Sequence, residues 1–245
     1  MYTPQYKWNV KNVPILSREQ IDTIAEGFLA DFQPKALREP QAVDVDGFLE
    51  MYLGVTPDYQ YLSHNMIYLG MSVFHDTDSI PIYDPVTDRA EYFSAKANTV
   101  IFDRRLVDEE KQEHRYRFTG GHEGGHFIFH PPYFERIRKI RKLLGMEDEL
   151  FTQCHRTDLV EKKKKQLTTD NDWIEWQANQ FSSSLLMPKP AVLLLLDDFD
   201  LEGFGVLRAV HEMVEQFNVS PQAARNRLSG LGVLEKVPAE IRFFL

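Results

Sequence analysis

The chain has 245 residues, of which 43% are hydrophobic and 12% aromatic, enough for a packed core in one domain or in one domain with an appendage. Its formal net charge of −9 argues against a general nucleic-acid binder. The single cysteine, Cys154, excludes an internal disulfide and favours a reducing compartment. Because no secretory signal and no bilayer-spanning apolar run is visible, the sequence predicts a cytoplasmic protein.

The first predicted elements are two helices. Ser17 and Gln20 form a capping-box pattern, and apolar residues follow them at helical spacing. A second, short helix is predicted after Pro40 and ends at Gly54.

Residues 59–103 are predicted to form strands. The strand candidates are residues 67–69, 80–83, 91–96 and 99–102, the last with the composition of a buried strand. The turn signals between them are Asn65, Gly70, Asp84-Pro85 and Asp88.

The second half of the chain is predicted to be mainly helical. A helix ends at Pro131-Pro132, an amphipathic helix over residues 133–144 is closed by Gly145, and a third covers residues 172–187. The four lysines at 162–165 indicate a solvated loop or, alternatively, a contact with an acidic substrate segment. The elements together predict an α+β fold.

The pentapeptide His122-Glu123-Gly124-Gly125-His126 is an H-E-x-x-H motif. On a helix, its two imidazoles share one face about 6 Å apart along the axis, and both can bind one Zn²⁺. Glu123 is then placed to take a proton from water at the metal. The alternative is a surface helix with two solvated histidines, which the apolar flanks at 116–118 and 127–129 disfavour.

Four glycines surround this motif. Gly124 and Gly125 lie inside the predicted helix, where glycine costs about 1 kcal/mol relative to alanine, so we expect close approach of another backbone or of substrate. The alternative for Gly120 and Gly121 is that they open the helix, with Thr119 near the N-cap.

A catalytic zinc site needs a third protein ligand. His130 lies about 12 Å along the axis from His122, so it cannot share their metal and is predicted to be a polar cap at the helix end. A third histidine of the metzincin type is excluded, because Phe129 and Pro132 occupy its glycine and histidine positions. A glutamate on a second helix remains, giving a His₂Glu set.

Glu175 is the leading candidate, because it interrupts the apolar surface of the helix over residues 172–187. Asn179 lies one turn further on and could accept the free ring N–H of a zinc-bound histidine. Other candidates for the third ligand are Glu161, Asp170 and Asp172.

Two blocks, residues 117–126 and 175–188, resemble the ImmA/IrrE family of metallo-endopeptidases. The first is RFTGGHEGGH, and the second is close to the family pattern E-x-x-A-N-x-F-A-x-x-L-L-M-P, with Ser182 where alanine is usual. The N-terminal helix and residues 40–54 and 217–231 also resemble family members, so the resemblance covers most of the chain.

This resemblance implies a zincin-like core over residues 1–192, built from a small sheet, the motif helix and the glutamate helix, and a helical C-terminal appendage over residues 193–245. It implies His122, His126 and Glu175 as zinc ligands and Glu123 as the catalytic acid/base. Family members, many of them encoded on mobile elements, cleave helix-turn-helix transcriptional repressors. The resemblance therefore implies a protein substrate of that kind. His₂Glu suits zinc, although manganese or iron could also occupy it.

Three points stay open at this stage. His155, Tyr133 and Arg156 are candidates to stabilise an oxyanion. Residues 219–234 read as a helix-turn-helix fragment in which Arg225 and Arg227 could face DNA, but acidic flanks favour packing or substrate docking over direct nucleic-acid binding. The alternatives to a peptidase are a DNA-associated regulatory module whose metal site is structural or silent and a zinc hydrolase of a non-peptide amide.

Overall fold

The computed structural model describes residues 1–146, 154–155, 167–201 and 204–237. It is an α+β structure, which confirms the predicted fold class at that level. Within these ranges, none of the helices combines the length and apolar character needed to cross a bilayer. Glu161, Arg156 and the lysine run 162–165 lie outside the described residues.

The strands, in chain order, are β1 (Lys7–Trp8), β2 (Pro14–Ile15), β3 (Thr56–Gln60), β4 (Tyr68–Val73), β5 (Thr77–Asp84), β6 (Arg89–Ala95), β7 (Thr99–Asp103) and β8 (Cys154–His155). The helices are α1 (Arg18–Phe32), α2 (Val45–Gly47, continued by a π-helical turn over Phe48–Tyr52), α3 (Arg105–Asp108), α4 (Glu113–Phe129), α5 (Pro131–Leu143), α6 (Asp170–Leu186), α7 (Lys189–Leu196), α8 (Gly205–Phe217) and α9 (Pro221–Gly230). Short 3₁₀ turns lie at Pro34–Leu37, Glu110–Gln112 and Leu234–Lys236.

The chain divides into two compact units. The motif unit comprises residues 5–16 and 45–179, and the helical unit comprises residues 1–4, 17–44 and 180–245. These two units are defined by the contacts within the structure. The predicted domain boundary between residues 192 and 193 came from the family resemblance instead, and it stays a prediction.

The motif unit is built on a four-stranded sheet with strand order β3-β7-β4-β8. β3 pairs parallel to β7, and β4 pairs antiparallel to both β7 and β8. β7 is buried along its whole length, as its composition predicted. β5 and β6 form a separate hairpin whose turn contains Asp88 in a left-handed conformation. Gly70 was predicted in a turn, which is wrong, because it lies inside β4 and pairs with Phe102.

The two faces of this sheet have different partners. One face carries Met71, Val73 and Ile101, which form a buried cluster with Leu62 and with Ile80 of the hairpin. Alternate residues of a strand point to opposite faces, so Gly70, Ser72, Val100 and Phe102 face helix α4 instead. Phe102 contacts Tyr116 of α4 with ring centroids 4.9 Å apart, which fixes this helix against the sheet.

The N-terminal strap, residues 5–16, is tied to three later elements of the motif unit. Tyr6 donates from its hydroxyl to the backbone oxygen of Ile128 in α4. Asn12 donates to the backbone oxygen of Pro132 in α5. Pro14 accepts from the side chain of Gln177 in α6 at 2.7 Å, across 163 positions of sequence. The strap therefore helps to define where α4 and α6 lie within this unit.

In the helical unit, α1 begins with the predicted capping box, in which Ser17 accepts from the backbone of Gln20 and Gln20 bonds back to the backbone of Ser17. α8 and α9 are joined through Asn218 in a left-handed conformation, and Ser220 caps α9 as predicted. The expectation that Arg227 could face DNA is wrong, because only 2% of this residue is exposed.

Arg227 is held by a buried ion pair in the helical unit. Its Nη1 lies 2.7 Å from Asp22 Oδ1 in α1, and its Nε donates to the backbone oxygen of Met187 at 2.9 Å. Ser184 of α6 donates to the same Asp22 oxygen at 2.5 Å. This cluster joins α1, α6 and α9, so Arg227 serves packing within the unit.

Candidate metal centre

Helix α4 carries both histidines of the motif in the interior of the motif unit. His122 is 1% exposed and His126 is fully buried, and their ring centroids lie 4.6 Å apart. Their Nε2 atoms face each other at 2.9 Å. The helix begins at Glu113, so the alternative in which Thr119 is near the N-cap is wrong.

Close side-chain packing accounts for Gly120 in the motif helix, whereas Gly124 has neighbours only at ordinary contact distance. A Cβ at Gly120 would lie 2.5 Å from Val45 Cγ1, which leaves no room for any other residue there. At Gly124 the nearest atoms belong to the side chains of Leu49 and Phe48, 3.4 and 3.6 Å away. At Gly120 and Gly124 the neighbours are therefore side chains of α2 and its π-helical turn, whereas the close approach of backbone or substrate expected at Gly125 stays a prediction.

Glu175 of α6 completes a three-residue group with the two histidines. Its Oε1 lies 3.4 Å from His126 Nε2 and its Oε2 lies 3.5 Å from His122 Nε2. One donor atom from each of the three residues lies within 4.8 Å of the other two, so the group could hold a metal ion. Helices more than forty residues apart in the sequence thus bring together the predicted ligands.

Other predicted candidates for the third ligand have different partners. Asp170 pairs with Lys11 at 2.7 Å. Asp172 accepts hydrogen bonds from the backbone and hydroxyl of Thr169, at 2.9 and 2.7 Å, and thereby caps the start of α6.

Asn179 fixes the orientation of the His122 ring. Its Nδ2 donates to the backbone oxygen of Glu175 at 2.9 Å, so its Oδ1 is the atom that faces His122 Nδ1 at 3.2 Å. An amide oxygen only accepts, so His122 carries its proton on Nδ1 and the lone pair of Nε2 points to Glu175 and His126. The predicted contact of Asn179 with a ring of the motif is confirmed.

A longer relay fixes His126. Gln177 Nε2 donates to the Pro14 oxygen, so Gln177 Oε1 accepts from His130 Nε2 at 3.0 Å. Burial holds the pKa of His130 well below its usual range, so this ring is neutral and its Nδ1 accepts. His126 Nδ1, 3.0 Å away, must then be the donor. His126 Nε2 therefore presents a lone pair.

This relay corrects the prediction for His130, which was expected to be a simple polar cap. His130 does follow the last residue of α4, but it is fully buried and bonded to both His126 and Gln177. The axial spacing correctly excluded it from the metal group, but could not reveal that it contacts the far side of the His126 ring.

The donor set fits a divalent cation. When both rings are neutral, their protons are used on Asn179 and His130, so two imidazole lone pairs and a carboxylate face one another, and a positive charge among them relieves their mutual repulsion. In a tetrahedral site with bonds of about 2.1 Å, neighbouring ligand atoms lie about 3.4 Å apart, as the Glu175 contacts do. The 2.9 Å between the two Nε2 atoms is shorter than this spacing.

The charge of Glu175 is favoured by this setting. In the metal-free protein, burial alone would raise the pKa of its carboxyl, but positive charge on His126 and His122 and hydrogen bonds from their rings outweigh burial and hold that pKa well below the usual range. A carboxylate that stays ionised beside two imidazoles is the form in which glutamate binds a metal.

Glu123 lies between the two histidines in sequence and is fully buried. Its Oε2 accepts a hydrogen bond from Ser72 of β4 at 2.5 Å, and among the described residues its Oε1 has no hydrogen-bond partner. Burial raises the pKa of the Glu123 carboxyl, against the opposing influence of His122 and His126. A buried carboxylate with one free oxygen next to the metal group has the character of a general base.

The three predicted oxyanion candidates are Tyr133, His155 and Arg156. Burial raises the pKa of Tyr133, which lies in the first turn of α5. His155 contributes backbone pairing to β4, and Arg156 lies beyond the described residues.

Comparison with known proteins adds no family assignment. Neither the family models nor the curated proteins contain a match to this chain. The resemblance to the ImmA/IrrE family therefore depends on the sequence blocks named above and stays a prediction.

Proposed function

We propose that this protein is a zinc-dependent endopeptidase with a zincin-like core. His122, His126 and Glu175 would hold the ion, and Glu123 would act as the acid/base. The observation that carries the proposal is the convergence of three lone-pair donors from α4 and α6 near the buried carboxylate of Glu123, whose Oε1 has no hydrogen-bond partner in the described part of the chain. Manganese or iron is compatible with the same donor set.

Each residue of the site has a separate task in this mechanism. When bound, Zn²⁺ supplies Lewis acidity, which activates water and polarises a carbonyl oxygen. Asn179 and His130 hold the two rings so that their Nε2 lone pairs converge. Glu123 Oε1 takes the proton of the attacking water. Glu123 later delivers this proton to the leaving nitrogen as the peptide bond breaks.

The proposed substrate is an intracellular regulatory protein, of the helix-turn-helix repressor type that the family resemblance implies. We do not propose direct DNA binding, because burial removes Arg227 from any surface that could contact a nucleic acid. The C-terminal helices α8 and α9 are proposed to pack within their unit or to dock the substrate.

The substitution Glu123→Gln tests the catalytic assignment. Removing the base should lower kcat by about 100-fold or more while leaving zinc content unchanged, because Glu123 is not one of the three ligands. Hydrolysis of an internally quenched peptide library by the zinc-loaded protein, with zinc measured by mass spectrometry, gives both quantities. Glu113→Gln, in the exposed first turn of the same helix, is the matched control and should keep full activity.

The outcome that contradicts the proposal is a Glu123→Gln protein that hydrolyses peptides as fast as the parent. Hydrolysis of small amides together with inert peptides would instead favour an amidase. If peptides are cleaved, mass spectrometry of a helix-turn-helix repressor incubated with the protein identifies the cleaved bond and tests the substrate class.

A further inference from the structure

Strand β4 presents two small residues to the motif helix. Gly70 and Ser72 share the face of the strand that packs on α4. The alternating residues Met71 and Val73 belong to the buried cluster on the opposite face. Because Ser72 is fully buried, its hydroxyl needs a partner inside the protein.

That partner is the carboxylate of Glu123. Ser72 Oγ lies 2.5 Å from Glu123 Oε2, the distance typical of a hydroxyl that donates to a charged oxygen. A carboxylate has no proton to give, so the hydroxyl is the donor. The contact holds Oε2 in place and stops the carboxylate from rotating freely about its last side-chain bond.

Gly70 provides the space for the other oxygen. A Cβ added at this position would lie 2.6 Å from Glu123 Oε1 and 2.6 Å from Thr119 Cγ2. Any side chain here would displace the carboxylate or the helix that carries it. The backbone of Gly70 has no unusual conformation to explain the glycine, since its φ is not positive, so the close approach is the reason for it.

We propose that Gly70 and Ser72 are positioning residues for the general base, with Ser72 holding Glu123 Oε2 and Gly70 leaving Oε1 room to face the reacting water. This deepens the proposed function and rests on it. The two carboxylate oxygens thereby have different tasks: Oε2 anchors the group to the sheet, and Oε1 exchanges the proton.

A purely structural role for Ser72 is the competing explanation. Its hydroxyl also lies 3.5 Å from the backbone oxygen of Glu123, so it could simply tie β4 to α4. The two explanations differ in what Ser72→Ala should change. A structural tie affects stability and leaves turnover by the folded protein intact, whereas a positioning residue affects kcat.

The first experiment compares Ser72→Ala and Ser72→Thr in the zinc-loaded protein, with a quenched peptide as the probe. Loss of a hydrogen bond to a charged group should lower kcat by about 10- to 100-fold with KM changed less than about 2-fold. Ser72→Thr keeps the hydroxyl and should recover most of kcat if the strand accepts its extra methyl. Ser79→Ala, an exposed serine on β5, is the control and should match the parent.

Zinc affinity, measured by competition with a chelator, separates positioning from loss of the metal. Ser72→Ala should bind zinc within about 3-fold of the parent, because Ser72 contacts the base and none of the three ligands. A kcat within 2-fold of the parent, or a loss of activity that follows loss of zinc, would overturn the positioning role.

The second experiment needs no activity. In the metal-free protein, the Tm shift caused by Ser72→Ala is measured in the parent and again in a Glu123→Ala background. If the hydrogen bond exists, the shift should be about 2–4 °C in the parent and less than about half of that once the carboxylate is gone. Equal shifts in both backgrounds would overturn the contact itself.

Gly70→Ala tests the space requirement. Its Cβ should displace Oε1 and lower kcat by about 10-fold or more with zinc retained, and adding Thr119→Ser removes only the second clash. If the double variant stays slow, the clash with the Glu123 carboxylate is the cause of the lost activity. If its kcat recovers fully, Gly70 serves helix packing and the proposed positioning role of Gly70 is wrong.

These results separate two kinds of failure. A protein that shows the Ser72–Glu123 coupling but hydrolyses no peptide would refute the proposed function, and with it the base role, while establishing the contact. A protein that hydrolyses peptides without that coupling would keep the proposed function and overturn the role of β4.

Discussion

Buried charges in the motif unit and in the helical unit are arranged in opposite ways. In the helical unit, the guanidinium of Arg227 faces Asp22 at 2.7 Å, so positive and negative charge meet within the protein. In the motif unit, two ring lone pairs and the Glu175 carboxylate face one another, with the ring protons turned to Asn179 and His130. The first arrangement pairs opposite charges, although Arg227 Nη2 has no hydrogen-bond partner among the described residues. The second gathers three acceptors that could hold a metal ion, and this difference separates a packing element from a candidate binding site.

The largest expected effect follows from breaking the buried ion pair between Arg227 and Asp22. Arg227→Met leaves Asp22 buried without its counter-charge, which should lower the free energy of unfolding by about 3–5 kcal/mol. Urea unfolding of the metal-free protein measures the change. Arg225→Met, on the same helix, is the control and should change stability by less than about 0.5 kcal/mol. An Arg227→Met protein as stable as the parent would show that the pair is not needed for folding.

Next in size is the loss of a predicted ligand. Glu175→Gln removes the negative charge from the group formed with His122 and His126. We expect zinc affinity to fall by more than about 100-fold, because loss of a direct ligand should exceed the effect, about 10- to 100-fold, of residues that only contact ligands. Isothermal titration of the apoprotein with zinc measures it. Unchanged zinc affinity would exclude Glu175 as a ligand.

The smallest of these effects concerns the His130 relay. His130→Ala leaves His126 Nδ1 without the acceptor that fixes its tautomer, so zinc affinity should fall by about 10- to 100-fold. The same titration is the measurement, with His114→Ala in the first turns of the same helix as the control. If His130→Ala binds zinc as tightly as the parent, the relay does not orient the ligand.

The sequence predicted the parts of the site that depend on local spacing. The i, i+4 relation places His122 and His126 on one face, and a carboxylate inside an apolar helix surface marked Glu175 as a residue in need of a partner. The glutamate-to-asparagine spacing of four placed Asn179 on the same face as Glu175. Each of these inferences needs only helix geometry and the cost of an unpaired charge.

Parts that depend on tertiary register were missed. Gly70 was placed in a turn because glycine usually marks one, yet the approach of Glu123 explains it inside β4. Ser72 had no signal at all, since nothing in a strand sequence shows which helix residue it will face. The start of α4 at Glu113 was also missed, because packing against α2 outweighs the low helix propensity of its glycines.

The strap over residues 5–16 affects the order in which the site can mature. Gln177 needs the backbone oxygen of Pro14 to direct its amide toward His130, and these two partners are separated by 163 positions. Closing so long a loop is slow compared with forming helix α4 itself. The nascent chain therefore makes the histidine pair well before its rings can be oriented, and the three-residue group that could hold a metal ion is complete only once α6 has been synthesised and docked.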